Sequence, residues 1–180
     1  MPATPFSVIL HEWHDLFIVA GTAGATLLGL LFVALSLNAD LILSGDRPHL
    51  KNLAAQSFQN YMAILLVSFL MLMPTTPARP LGFGLMAAAA INVAFTVYRL
   101  FTIAKATDAH LGRVRRFRLL FPTALGYLCL LLGGLDLFQG PSGETLSLVA
   151  GAMMLLLVSA TATAWDLLVR VVELRHAGKK

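Results

Sequence analysis

The sequence predicts an all-α membrane protein, a bundle of five transmembrane helices. Of its 180 residues, 58% are hydrophobic and only 12% are charged, whereas a typical soluble domain has about 25% charged residues. The hydrophobic residues fall in five long stretches that are nearly free of charge. Helices are the expected form, because the hydrocarbon core cannot hydrogen-bond exposed backbone groups, and the alternating pattern of a membrane barrel is absent from the sequence.

The second of the five stretches is the doubtful one. A helix needs about 20 mostly apolar residues to cross the hydrocarbon, with a range of roughly 17–25. Four stretches satisfy this outright, but the apolar part of the second covers only residues 61–73. It spans only if Gln56, Gln59 and Asn60 lie at the level of the lipid headgroups. The predicted spans of this single membrane domain are 16–37, 58–73, 81–98, 119–135 and 145–165.

Lysine and arginine are divided unequally between the two ends of these spans. Cytoplasmic loops carry the excess of these residues. With the N-terminus outside, Arg79 is the only one of the thirteen that lies outside. Deleting the second span, or reversing the protein, would move a basic cluster to the outside. The charge distribution therefore predicts all five spans, with the N-terminus outside and the C-terminus in the cytoplasm.

The first span carries small residues at regular intervals. Gly21, Ala25 and Gly29 recur every four residues, and small residues at this spacing let helix backbones approach closely in lipid. The favoured interpretation is packing within one molecule. A self-association face or a pore-lining face is the alternative. Five helices leave much surface facing lipid, so we also expect a homo-oligomer.

The third span has a polar stripe near its cytoplasmic end. Asn92, Thr96 and Arg99 follow one another at spacings of four and three residues, so they share one helix face. The favoured interpretation is hydrogen bonding between helices. A water-filled vestibule is the alternative, and its predicted lining is Asn38, Gln56, Asn60, Asn92, Thr96 and Arg99.

Two charged residues near the end of the fifth span suggest an ion pair. They belong to a polar face of this helix that also includes Ser159 and Thr163. Asp166 and Arg170 lie four residues apart, where side chains on a helix meet. Ionisable residues inside a membrane often mark a functional site. These two are predicted to lie close to the cytoplasmic surface, where long side chains can reach the interface. We therefore expect them to have a structural role.

The segment before the first span contains possible metal ligands. His11, His14 and Asp15 fall within about one helical turn, and imidazole with carboxylate suits zinc or copper. The favoured interpretation is an interfacial cap, because Trp13 belongs at the membrane interface and acidic residues favour a helix N-terminus. The expectation is therefore no bound metal, with these three residues as the candidates if one binds.

The loop before the fourth span is strongly basic. Residues 113–118 alternate basic and apolar side chains beside a membrane helix, and each basic residue near anionic lipid contributes roughly 1 kcal/mol to binding. The pattern predicts contact with anionic headgroups rather than nucleic acid, and a protein partner could use the same groups. The predicted contact residues are Arg113, Arg115, Arg116 and Arg118.

Part of the chain resembles a known group of proteins. The runs WHDLF at 13–17, AGTAGA at 20–25 and GLLFVALSLN at 29–38 resemble small integral membrane proteins of bacteria, some of which are labelled modulator of FtsH protease. The resemblance covers the first span and its flanks. It implies the bacterial inner membrane and a membrane partner, an ATP-dependent protease. It implies no catalytic residue.

Taken together, the sequence predicts a non-enzymatic, multi-pass inner-membrane protein without a cofactor. It would act through helix–helix or lipid contacts, as a possible modulator of a membrane complex. The alternative is a small homo-oligomeric ion channel or transporter with a polar vestibule. The sequence has no glycine-rich phosphate loop, and a single cysteine excludes a CxxC motif.

Overall fold

The computed structural model describes residues 6–43, 48–73, 77–105, 110–140 and 143–177. Within these ranges, the side chains of residues 6–7, 43, 48–49, 100, 102–105, 110–119, 143 and 177 lie outside this description. Its described residues are almost entirely helical and contain no strand. Two short helices accompany five long ones. In chain order they are α1 (Phe6–Glu12), α2 (His14–Leu37), α3 (Ala39–Leu43), α4 (Pro48–Leu72), α5 (Ala78–Lys105), α6 (His110–Gln139) and α7 (Gly143–Ala177).

The five long helices confirm the predicted fold class. Each is long and apolar enough to cross a membrane, and the doubtful second stretch is among them as Leu50–Leu72. The helix itself begins at Pro48, well before the predicted start at residue 58. Proline is favoured in the first helical turn, where its missing N–H has no intrahelical partner to lose. The polar residues that made this span doubtful are therefore part of a continuous helix.

Neighbouring helices run antiparallel. A side chain at Gly21 would meet Ser68, and one at Gly24 would meet Ile64. Residue numbers therefore increase along α2 while they decrease along the facing side of α4. The same reversal relates α6 to both α5 and α7. Helices α4 to α7 form a group in which α7 packs between α4 and α6, and α5 packs mainly on α6. Helix α2 packs on the edge of this group, mainly against α4.

The core lies between the helices, and the outside of the bundle is apolar. Phe17, Tyr61 and Tyr127 are among the largest fully buried side chains. Many large apolar side chains are instead exposed on all five long helices, Phe83 and Trp165 among them. A soluble monomer rarely exposes apolar patches on this scale. The exposed surface is the kind that a lipid environment covers.

Candidate functional site

A cluster of polar side chains lies between α4, α6 and α7. Gln56 and Asn60 stand one turn apart on α4, and Thr123 and Tyr127 stand one turn apart on α6. Ser159 approaches from α7. All five side chains are buried. We call these five residues the central polar network.

The hydrogen bonds of the central polar network converge on one hydroxyl. Thr123 Oγ1 accepts a hydrogen bond from Asn60 Nδ2 at 3.1 Å and another from Gln56 Nε2 at 3.3 Å. A hydroxyl has two lone pairs and one proton. Its proton therefore goes to Ser159 Oγ, which lies 2.6 Å away. Tyr127 completes the network by donating to Asn60 Oδ1 at 2.9 Å.

This arrangement joins three helices through groups that would be costly to leave unpaired. A buried polar atom without a partner destabilises a fold by about 1–3 kcal/mol. Within the described residues, Ser57 and Ser68 are the buried hydroxyls that have no hydrogen-bond partner. The atoms of the central polar network are instead bonded to protein. Chemically, the network holds the helices together and presents little polar surface to a solute.

A second polar contact joins α4 to α5. Gln59 Nε2 donates to Asn92 Oδ1 at 2.8 Å, and Asn92 Nδ2 donates to the Ala88 carbonyl of its own helix at 2.7 Å. Thr96 Oγ1 in turn donates to the Asn92 carbonyl at 2.9 Å. The polar stripe on the third span thus contacts α4 through Asn92.

The structure distributes the predicted vestibule residues among different places. It brings Gln56 and Asn60 together in the central polar network. Asn92, on α5, is instead hydrogen-bonded to Gln59 of α4. Asn38 donates to the Ala34 carbonyl at the end of its own helix, 2.8 Å away. Arg99 is partly buried and lies within electrostatic range of Tyr127. Hydrogen bonds among the described residues do not join these side chains into a single group.

The small residues of α2 face in different directions. Gly21 is buried against Ser68, whereas Ala25 and Gly29 are exposed. Gly24, which widens the predicted stripe on one side, is buried against Ile64. A strict spacing of four residues drifts around the helix, because one turn contains 3.6 residues. Residues that stay on the buried face of α2 are therefore separated alternately by four and by three positions. Its buried residues are Phe17, Gly21, Gly24 and Leu31.

Polar contacts also occur near the end of α7. Arg170 Nε donates to the Asp166 carboxylate at 3.0 Å, with Asp166 buried and Arg170 partly exposed. Tyr61 and Thr161 share a hydrogen bond of 3.2 Å between α4 and α7. The Asp166–Arg170 pair lies within α7, whereas the Tyr61–Thr161 hydrogen bond links α7 to α4.

The residues proposed as metal ligands lie where α1 meets α2, with His11 on α1 and His14 and Asp15 at the start of α2. The rings of His11 and His14 are 6.1 Å apart between centroids, and His14 Nδ1 lies 3.5 Å from a carboxylate oxygen of Asp15. His14 and Asp15 are exposed, and exposed ion pairs contribute little to stability. The part of the chain that the structure describes contains no group of three or more possible metal ligands.

The basic segment lies beyond the described side chains. Helix α6 begins at His110 and includes the backbone of residues 113–118. The side chains of Arg113, Arg115, Arg116 and Arg118 fall outside the described residues. Their contact with lipid headgroups stays a prediction.

Sequence reasoning missed two members of the central polar network. Thr123 and Tyr127 lie four residues apart on α6, the same spacing as Gln56 and Asn60 on α4. Residues four positions apart share a helix face. A search for polar pairs at this spacing on the predicted spans could therefore have identified Thr123 and Tyr127.

The comparisons with known proteins identified no relative of this chain. No family model, no curated protein and no solved structure matches this chain.

Proposed function

We propose that this is a non-enzymatic, multi-pass protein of the bacterial inner membrane that acts through helix–helix contacts. In this proposal it forms a homo-oligomer through the exposed face of α2 and modulates a membrane complex. The observation that carries the proposal is the position of α2. Only 17% of its spanning window is buried in the bundle, against 50% for α4 and α7.

The exposed face of α2 is suited to close contact with another helix. Thr22, Ala25, Gly29 and Ser36 are exposed on this face, away from the buried side of the helix. The Ser36 hydroxyl donates to the Phe32 carbonyl at 2.9 Å, so it is already satisfied within its helix. A face of small side chains lets a second backbone approach, and this packing drives association in lipid.

The central polar network supports a structural role for the polar groups of the bundle. Its amides and hydroxyls bond to one another in the interior of a single molecule. The sequence resemblance of residues 13–38 adds a membrane-bound protease as the proposed complex. That partner rests on the resemblance alone.

A matched pair of leucine variants tests the role of α2. A Cβ atom at Gly29 on α2 would meet no other atom within 4 Å, and Ala94 on α5 is exposed, so both leucine variants should fold. We expect Gly29→Leu to weaken self-association about fivefold or more, because an overpacked interface costs about 1–3 kcal/mol. Ala94→Leu should leave association unchanged. Energy transfer between labelled copies in liposomes, at increasing dilution in lipid, measures both.

Two results would contradict the proposal. One is a wild-type protein that stays monomeric at every protein-to-lipid ratio. The other is an equal loss of association in both leucine variants, which would indicate a general effect of added bulk rather than an α2 interface.

The proposed orientation has its own test. Residues 113–118 should lie in the cytoplasm, because the excess of Lys and Arg stays on that side. In a Cys129→Ala background, a cysteine placed at Arg115 should resist a membrane-impermeant maleimide in intact cells and react after lysis. The same experiment with a cysteine at Gly140, on the opposite side, should show labelling of intact cells. Labelling with the reverse pattern would invert the topology.

A further inference from the structure

A long groove runs between α6 and α7 on the outside of the bundle. Its volume is about 1140 Å³, comparable with the largest small-molecule sites, which reach about 1,000 Å³. Leu132 and Leu155 contribute apolar walls, and Gly151 leaves the groove open because nothing lies within 4 Å of where its Cβ would stand. The groove is therefore a surface depression wide enough for a hydrocarbon chain.

One end of the groove is acidic. Asp136 from the last turns of α6 and Glu144 from the first turn of α7 both line it, and no basic side chain is among the described residues that line it. The Thr145 hydroxyl donates to the Asp136 carboxylate. Glu144 is exposed.

The length of the groove matches one leaflet of a membrane. Its lining on α7 extends from Glu144 to Val158, which at 1.5 Å per residue is about 21 Å. A bilayer is about 40–45 Å thick with its headgroups, so one leaflet is about 20–22 Å. The acidic end lies next to the connection between α6 and α7, where headgroups are expected. The apolar part then follows the acyl chains toward the bilayer centre.

We infer that this groove binds a phospholipid with a primary ammonium headgroup, phosphatidylethanolamine. An acyl chain lies along Leu132 and Leu155, and the ammonium group donates hydrogen bonds to Asp136 and Glu144. An ammonium group has three N–H donors, and charge-assisted bonds to carboxylates are the strong ones. Phosphatidylcholine has no N–H to donate. Phosphatidylglycerol has no cation, and its negative charge is repelled by the carboxylates.

The single cysteine of the chain is a built-in probe of this site. Cys129 lines the groove and is only partly buried. In delipidated protein in detergent, the rate of Cys129 modification by N-ethylmaleimide is measured as one lipid is added. We expect phosphatidylethanolamine to protect Cys129 at about two- to fivefold lower concentration than phosphatidylcholine does, the range of an exposed ion pair. Native mass spectrometry of retained lipid gives a second, independent readout.

Three variants separate the headgroup contact from the groove itself. Asp136→Asn combined with Glu144→Gln should remove the preference for phosphatidylethanolamine over phosphatidylcholine in both readouts. Gly151→Leu should fill the groove and weaken both lipids equally. Glu173→Gln, an exposed carboxylate at the other end of α7, should change nothing.

Two outcomes would overturn the inference. Equal binding of phosphatidylethanolamine and phosphatidylcholine by the wild-type protein would reduce the groove to ordinary lipid contact. The other outcome is that protection of Cys129 depends on protein concentration and not on the added lipid. The groove would then bind a second copy of the chain. The α2 interface is tested separately, because Gly29→Leu leaves the groove intact.

Discussion

Replacing Gly82 with alanine should destabilise the bundle by about 2–3 kcal/mol, within the range for overpacking a tight contact. The added Cβ would lie 2.6 Å from the Gly134 carbonyl oxygen and 2.8 Å from the Phe138 backbone nitrogen. These are backbone atoms of α6, so no side-chain rotation can relieve the contact. Helix α5 would have to move away from α6. Unfolding in mixed micelles of dodecyl sulfate measures the change in free energy.

Gly84 provides the matched control for Gly82, because it lies two residues along the same helix. A Cβ there would meet only the two methyl ends of Leu70, at 3.4 and 3.5 Å, which is ordinary contact with a flexible side chain. Gly84→Ala should therefore leave stability unchanged or slightly raised, since alanine is the better helix former. Equal destabilisation by the two alanine variants would show that the α5–α6 contact at Gly82 is not as close as described.

Replacing Thr123 with valine should destabilise the bundle by a similar amount, about 2–3 kcal/mol. The two side chains have nearly the same shape, so the change removes only the hydroxyl. It leaves Gln56 Nε2 and Asn60 Nδ2 without their acceptor and Ser159 without its donor. Hydrogen bonds between membrane helices contribute about 0.6 kcal/mol on average and up to about 1.7 kcal/mol, and three are lost together. The same unfolding measurement applies.

Two further variants show whether this effect comes from the central polar network. Thr26→Val also removes a hydroxyl, but this hydroxyl is exposed and bonds only to the Thr22 carbonyl of its own helix. Its effect should be below about 0.5 kcal/mol, as for most surface substitutions. Thr123→Ser keeps the hydroxyl and should recover most of the lost stability. If Thr123→Val and Thr26→Val lower the free energy of unfolding by the same amount, the central polar network makes no special contribution to stability.

The sequence was sufficient to predict the five long helices. Hydropathy and length identified four of them, and the distribution of basic residues decided for the second, which the structure describes as Leu50–Leu72. The helix begins at Pro48, before the apolar span that was predicted from residue 58. The cause is that hydropathy detects the part of a helix that lipid covers. A helix continues beyond that part wherever its backbone bonds continue.

The polar residues were only partly predictable. Gln56, Asn60 and Asn92 stood out as amides on apolar helices, but the hydroxyl partners of Gln56 and Asn60 on α6 did not. Thr123 became part of the central polar network only because α6 packs where both amides can reach its hydroxyl. Pairings of this kind join residues more than 60 positions apart in the chain. Helical spacing describes one helix at a time, so it cannot supply them.

The sequence by itself determined the class of this protein, the number of its long helices and the residues that make them suitable for lipid. Only the tertiary structure decided which face of each helix is inside. On α2, Gly21 and Gly24 pack against α4, while Gly29 faces outward. In a water-soluble helix, polarity would have distinguished these faces. In lipid both the packed face and the exposed face are apolar, so the fit between small residues and neighbouring helices makes the choice.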